Sequence, residues 1–300
     1  MPPPIIIFSY NRPSHLNNLI NSLTKNKVSK SSKIFFFCDG PKNNFDKKKI
    51  KEIKDLLKRK KFKINFKFFR KKNIGLANNI INGVSYVLRK YTSCIILEDD
   101  LVLNKNCINF MNTMLAKFKT NQEIGSVSAH SYIDDLKSDK EFDFYFSKRH
   151  SSWCWGTWSR VWNKINWYNM KVESHFTNKL SLKKFSEGGN DLNLLLWGNK
   201  EKFINSWAIR FNFHCAKFFL KSIQPRFSMI KNNGRDFSGT HEKFSFNFRK
   251  IFSFNPYLGS LKSILKRTAE SEEIYSFIKN SHRRSLKLSL KYIFRYFKII

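Results

Sequence analysis

Acidic residues are scarce in this 300-residue chain: 22 Asp and Glu stand against 56 Lys and Arg, a formal net charge of +34. Long apolar runs are missing as well. No stretch of about 18 uncharged apolar residues occurs, which argues against a transmembrane helix. The first apolar run, Ile5 to Phe8, is too short for a secretory signal and has no basic segment before it. Cysteine is limited to Cys38, Cys94, Cys107, Cys154 and Cys215, with no C-x-x-C pair. A zinc site or disulfide framework is therefore disfavoured, and a reducing cytosol fits. No G-x-G-x-x-G follows the first apolar run, and no G-x-x-x-x-G-K-[ST] occurs anywhere. A nicotinamide-binding enzyme and a P-loop NTPase are both disfavoured. What the chain does hold is apolar and aromatic side chain, 41% and 16% of residues. That is enough to build a core over one or two domains, and it excludes a disordered chain.

The positive charge has two readings. It can mark a nucleic-acid or membrane-surface partner. It can also be background, because Lys, Asn, Ile and Phe are in joint excess, as an AT-rich coding sequence would make them.

The first hundred residues alternate between two periodicities. Ile5 to Phe8 and Ile34 to Phe37 are continuous apolar runs, as buried parallel strands are. Ile64 to Phe69 alternates apolar with polar, and Cys94 to Leu97 is a fourth run. Between them, helical spacing links Leu16, Leu19, Ile20 and Leu23, then Ile50, Ile53, Leu56 and Leu57, then Leu76, Ile80, Ile81, Val84, Val87 and Leu88. Pro13 suits a first helical turn. Strands separated by helices predict right-handed crossovers and an α/β fold with a mostly parallel sheet.

Ligands of open α/β sheets bind beyond the carboxyl ends of the strands. Those ends here are Ser9-Tyr10-Asn11-Arg12, Cys38-Asp39-Gly40, Asn73-Ile74-Gly75 and Glu98-Asp99-Asp100. A cation, a carboxylate, an amide beside glycine and a carboxylate cluster would share one edge. A nucleoside diphosphate with a hard divalent cation, Mn²⁺ or Mg²⁺, needs that set of groups. The alternative for the acidic triplet is a solvated turn before the next helix.

These four segments resemble a GT-A glycosyltransferase, of the N-acetylglucosaminyltransferase I type and its bacterial surface-glycan relatives. That group carries Glu-Asp-Asp where Asp-x-Asp is commoner. The resemblance continues through Ser152 to Trp158, Gly188-Gly189-Asn190-Asp191-Leu192, Ser206 to Arg210, Asn232-Asn233-Gly234 and Ser238-Gly239-Thr240-His241. It covers about residues 5 to 245, with its motifs in the family's order. It implies a mixed, mostly parallel Rossmann-like sheet flanked by helices. It also implies metal-dependent transfer of a hexose or N-acetylhexosamine, with inversion, from a UDP-sugar to a glycan of lipopolysaccharide, lipooligosaccharide or capsule. Residue by residue, it puts Arg12 near the diphosphate, Asp39 on the base and Asn73 on the nucleotide. Glu98 and Asp99 would face ribose and sugar, Asp100 would ligate the metal, and His241 would reach the diphosphate or the metal. Trp153 and Trp155 would meet the acceptor, although the tryptophans clustered here can equally be core beneath a loop.

The family's general base is an acidic residue just before the tryptophan matched by Trp207. Asn205 and Ser206 stand there in this chain. Asp191 is the substitute expected for the catalytic role, with Glu201 behind it. The competing reading of Asp191 is a helix N-cap, since Leu192, Leu195 and Leu196 follow at helical spacing.

The expected organisation is a catalytic domain over 1–250, divided into a nucleotide half (1–103) and an acceptor half (104–250). A basic helical extension would follow over 251–300. In that tail Lys287, Lys291, Arg295 and Lys298 recur on one helical face, and Leu286, Leu290, Ile293 and Phe297 on another. Such a helix suits an anionic membrane surface, or it packs on the domain with a solvated basic face. The membrane reading makes the protein peripheral on the inner face of the cytoplasmic membrane, with a lipid-linked acceptor. Three alternatives remain: a basic nucleic-acid-binding protein, a nucleotidyltransferase, and a degenerate nucleotide-sugar-binding protein. Basic residues are spread along the whole chain and no nucleic-acid-binding motif occurs, so no nucleic-acid partner is expected. The loop Ser9 to Ser14 lacks the glycines a nucleotidyltransferase would use.

Overall fold

The computed structural model describes residues 1–26, 31–60, 63–136, 142–234, 268–283 and 286–296. The expected alternation is present: β1 (Ile5–Ser9), α1 (Pro13–Thr24), β2 (Ile34–Cys38), α2 (Asn44–Arg59), β3 (Phe66–Phe69), α3 (Leu76–Leu88) and β4 (Ser93–Glu98). The apolar runs are strands because both their faces are covered. Every residue of β1 and β2 is buried, and β1 pairs in parallel with β2 (Ile5↔Ile34) and β4 (Ile5↔Ile95). Pro13 opens α1, whose Leu16, Leu19, Ile20 and Leu23 pack inward. The Asn43 side chain caps α2 by accepting from the Asp46 amide.

Beyond β4 the chain forms β5 (Leu101–Leu103), α4 (Cys107–Lys117), β6 (Ile124–Ser128), β7 (Phe144–Ser147), β8 (Trp155–Trp158) and α5 (Ser159–Trp162). Then come α6 (Glu173–Thr177), α7 (Lys179–Ser186), α8 (Leu192–Lys200), α9 (Trp207–Lys217), β9 (Lys221–Pro225) and β10 (Ile230–Asn232). The described C-terminal elements are β11 (Thr268–Ala269), α10 (Glu272–Ser281) and α11 (Leu286–Tyr296). Nine strands make one mixed sheet in the order β11-β7-β9-β6-β8-β4-β1-β2-β3, while β5 and β10 pair separately.

Strand β8 decides what lies at the functional edge. It runs antiparallel between β4 and β6, so β6 is parallel to β4. The carboxyl ends of β1, β2, β4 and β6 and the start of β8 therefore share one edge. A large core joins both halves of the sheet to the surrounding helices.

Two expectations change. Trp155, expected at the acceptor, is 1% exposed and stacks on Trp207 with centroids 4.7 Å apart. It is core, because its place within β8 turns the indole under α9. Trp158 and Trp162 are core too, their ring N–H groups donating to the Leu115 carbonyl and Ser85 Oγ. Residues 268–296 are also more than an appended helix. Strand β11 joins β7, and Ile274 and Ile278 of α10 pack with Ile133, Phe142 and Tyr145. All five cysteines are free and buried, Cys38 and Cys94 as the small apolar residues their runs predict. Among the described residues no helix is long and apolar enough to cross a membrane.

One buried histidine makes the fold acid-sensitive. His150 Nδ1 lies 2.6 Å from Ser126 Oγ and its Nε2 3.3 Å from the Leu220 carbonyl. Burial pushes its pKa down to about 4; the Leu220 carbonyl opposes the shift and His214 adds to it. The unfolded chain takes up that proton near pH 6.5. Stability from a neutral His150 is therefore present above about pH 6.5 and is lost as pH falls through about 4. His150→Gln should flatten this loss by up to about 3 kcal/mol. Denaturant titrations of both proteins between pH 7.5 and pH 4 measure it, and equal slopes would assign the acid sensitivity elsewhere.

Candidate active site

The site begins with three consecutive carboxylates at the end of an apolar strand. Asp99 is buried and satisfied: Ser9 Oγ donates to its Oδ2 at 2.8 Å, the Tyr10 amide at 3.2 Å, and Arg12 Nη2 lies 3.3 Å from its Oδ1. Arg12 Nη2 also donates to Asp100 Oδ2 at 3.2 Å. One guanidinium thus serves a crowded acidic group. Burial pushes Glu98 up to about 8, the charges of Asp100 and Asp99 push the same way, and Arg12 pulls back. Burial likewise raises Asp99 despite the Arg12 charge beside it. Burial disfavours the Arg12 cation, but Asp99, Asp100 and Glu98 outweigh that and hold it protonated.

A second segment closes over this group. Asn233 donates its amide to the Asp100 carbonyl at 2.8 Å, and Asn232 pairs with Leu101 across β10 and β5. A Cβ at Gly234 would stand 2.4 Å from Asp100 Oδ2 and 3.1 Å from Arg12 Nη1. Only glycine leaves that space open. Arg12 Nη1 is buried there without a hydrogen-bond partner among the described residues.

The donor set fits a divalent cation. Mn²⁺ and Mg²⁺ take oxygen ligands, commonly one or two carboxylates completed by substrate phosphates. Asp100 is the carboxylate with a side chain still 14% exposed, whereas Asp99 is used up by Ser9, Tyr10 and Arg12. Among the described residues no group of three or more His, Cys, Asp or Glu forms an all-protein cage, and a cation shared with a diphosphate requires none.

Asp39 organises the neighbouring loop. Its Oδ1 accepts from the amides of Gly40 (2.8 Å) and Ile74 (3.0 Å), and its Oδ2 from Gly75 (3.0 Å). Asn73 Nδ2 donates to the Gly40 carbonyl at 2.9 Å. The two loops touch so closely that a Cβ on Gly40 would fall 2.3 Å from the Lys72 carbonyl carbon. The Tyr10 hydroxyl and Asn11 Nδ2 both donate to Asp46, which locks the loop after β1 onto the start of α2. Arg12, Asp39, Asn73, Glu98, Asp99 and Asp100 therefore meet at one edge.

The acceptor half is arranged differently from expectation. Asp191 stands at the start of α8, but its side chain makes no capping bond. Both its oxygens accept instead from Arg149, Nη1 at 2.8 Å and Nη2 at 3.0 Å. Asn205 Oδ1 accepts from Arg210 Nη2 at 2.7 Å, and Ser206 Oγ caps the Ile209 amide. Glu201 pairs with Lys200 near the surface. Trp153 is half-buried, its ring centroid 4.6 Å from that of His130. His241 lies outside the described residues. Arg149 and His130 are the residues that sequence reasoning missed. His130 follows the apolar run of β6 just as Glu98 closes that of β4, so the strand-end rule could have found it. Nothing local marks Arg149 as the partner of Asp191.

Residues 5–178, more than half of the chain, match the family model "Glycosyl transferase family 2". No curated protein matches the chain. Among solved structures it is similar to a mannosyltransferase from Pyrobaculum calidifontis, in complex with GDP-Man and Mn²⁺. The identity is 9% over 52% of this chain and 44% of that one, with a TM-score of 0.34. It is also similar to glucosyl-3-phosphoglycerate synthase from Mycobacterium tuberculosis, in complex with Mn²⁺, UDP and glucosyl-3-phosphoglycerate (8%, 42% and 43%, TM-score 0.31). TarS from S. aureus is a further likeness (14%, 45% and 26%, TM-score 0.32). The chain thus spans less than half the length of these proteins. With the family match, the strand order and the carboxylate edge together, the chain belongs to glycosyl transferase family 2 and has its GT-A fold.

Proposed function

We propose that this chain is a metal-dependent, inverting glycosyltransferase of the N-acetylglucosaminyltransferase I-like type. It moves a hexose or N-acetylhexosamine from a UDP-sugar to a glycan of bacterial lipopolysaccharide, lipooligosaccharide or capsule. The observation that carries this reading is the convergence of Asp39, Arg12 and Glu98-Asp99-Asp100 on one sheet edge. Asp39 and Asn73 line the pocket for the base, and Asp39 keeps a lone pair for the uracil N–H. Arg12, with its unpartnered Nη1, turns toward the diphosphate. Glu98 and Asp99 face ribose and sugar. Asp100, with His241 as a further contact, would hold a divalent cation, and that cation would supply charge neutralisation for the leaving diphosphate. Trp153 offers an aromatic surface to the acceptor sugar.

Calorimetric titration with UDP checks this reading. Binding should require Mn²⁺ and weaken at least tenfold in Asp100→Ala. Gly234→Ala, which crowds Asp100, should weaken it in the same direction. Absence of UDP binding with and without Mn²⁺ would overturn the UDP-sugar assignment.

The acceptor in this reading is lipid-linked and lies at the anionic inner face of the cytoplasmic membrane. Helix α11 supports it. Its Tyr292 is buried against Trp197 and Phe203, so the helix is docked through that face. Leu286, Leu290 and Ile293 are 80%, 52% and 43% exposed. An outward apolar stripe on a basic chain suits an anionic bilayer. Phe297 and Lys298 lie outside the described residues. Sedimentation with phosphatidylglycerol vesicles should pull down the wild type, and pure phosphatidylcholine should do so far less. Leu290→Asp with Ile293→Asp should abolish the difference, and unchanged binding by that variant would remove α11 from the contact.

A further inference from the structure

Inverting transfer needs a group that takes the acceptor's proton, and the aspartates near this edge are committed elsewhere. Asp39 holds three backbone amides. Asp99 serves Ser9, Tyr10 and Arg12. Asp100 pairs with Arg12 and is the metal ligand of the proposed function. Asp191 is gripped at both oxygens by Arg149. Asn205 and Ser206 hold Arg210 and the start of α9. Asp134 accepts from the Ser228 amide at 2.8 Å, 94 residues along the chain.

The strand register brings a different base to the edge. Ser128 and Ile96 both lie opposite Trp155, and the Ala129 amide donates to the Cys154 carbonyl at 2.8 Å. Strand β8 thus lies between the ends of β4 and β6, one strand spacing from each, with Glu98 closing β4 and His130 following β6. Two strand spacings separate those two ends, roughly 10 Å. A donor sugar seated over the end of β4 and an acceptor against Trp153 would fill that span. The His130 ring is fixed between aromatic rings, with its centroid 4.6 Å from Trp153 and 4.8 Å from Tyr132, both edge to face. Its backbone is fixed as well, since the His130 amide donates to Ser128 Oγ and that hydroxyl donates to the Trp153 carbonyl, each at 3.1 Å. Tyr132 in turn meets the His282 ring and the Arg149 guanidinium.

From this placement we infer that His130 is the general base for the acceptor, an inference that rests on the glycosyl-transfer reading above. The neutral imidazole accepts the hydroxyl proton. The acceptor oxygen's electron pair forms the bond to the anomeric carbon, while the bond from that carbon to the diphosphate oxygen breaks. The nucleoside diphosphate leaves with that electron pair, and the imidazolium returns its proton to water. Imidazole suits the task near neutral pH better than a carboxylate tied to arginine.

The test uses the full chain with Mn²⁺ and radiolabelled UDP-glucose, UDP-galactose and UDP-N-acetylglucosamine. Both hydrolysis to water and transfer to a total glycolipid extract of the source cells are counted. His130→Ala should lower turnover by about 10²–10³-fold while Mn²⁺-dependent UDP affinity stays within about twofold. Added imidazole should restore part of the turnover of His130→Ala but none of that of His130→Gln, which fills the space. Full turnover in His130→Ala overturns the assignment, and so does a loss that imidazole does not rescue. Collapse in Asp191→Asn with turnover retained in His130→Ala would return the role to Asp191. A wild type that binds UDP but turns over no donor overturns the base while leaving the nucleotide site. A wild type that binds no UDP overturns the proposed function itself.

Discussion

One arginine beside three consecutive carboxylates is the constraint on which the rest of the site depends. Ionised groups brought out of water cost several kcal/mol each unless they are paired and hydrogen-bonded. Here Arg12 bridges Asp99 and Asp100, Ser9 and the Tyr10 amide complete Asp99, and Glu98 answers by holding its proton to about pH 8. That arrangement sets the path of the loop after β1 and the tight passage of Gly234 over Asp100. An acidic group short of positive charge is also a place where a cation gains most.

The two halves of the sheet are joined by a reversal of strand direction. A sheet that continued in parallel beyond β4 would carry helical crossovers to its edge. The antiparallel insertion of β8 instead brings the start of a strand to the edge where β1, β2 and β4 end. Trp153, just before β8, then stands beside His130, which follows β6. Trp155, two residues on, is inside the sheet and stacked on Trp207. Neighbouring tryptophans thus differ in burial according to where β8 begins.

The C-terminal elements extend the same body. Ile274 and Ile278 of α10 cover one end of the sheet, and His282, just past that helix, packs on Tyr132 beside Arg149. Helix α11 docks through Tyr292 on Trp197 and Phe203, which leaves Leu286, Leu290 and Ile293 outward. A surface contact made through that stripe would be fixed relative to the Arg149–Asp191 wall, because both rest on the same packed helices.

Much of the nucleotide half was legible in the sequence because its signals are local. Apolar runs buried on both faces read as parallel strands, leucines and isoleucines at helical spacing read as the covering helices, and polar residues at strand ends gave Arg12, Asp39, Asn73 and Glu98 to Asp100. The acceptor half was not legible in the same way. Strand order, the direction of β8, the burial of Trp155, the pairing of Arg149 with Asp191 and the docking of α11 all depend on partners 27 to 95 positions away. By itself the sequence determined the elements and the chemistry of their ends, since periodicity and residue type act within a few neighbours. Tertiary structure alone decided which of those ends share a cleft, because only long-range packing chooses which side chain is covered and which faces the substrate.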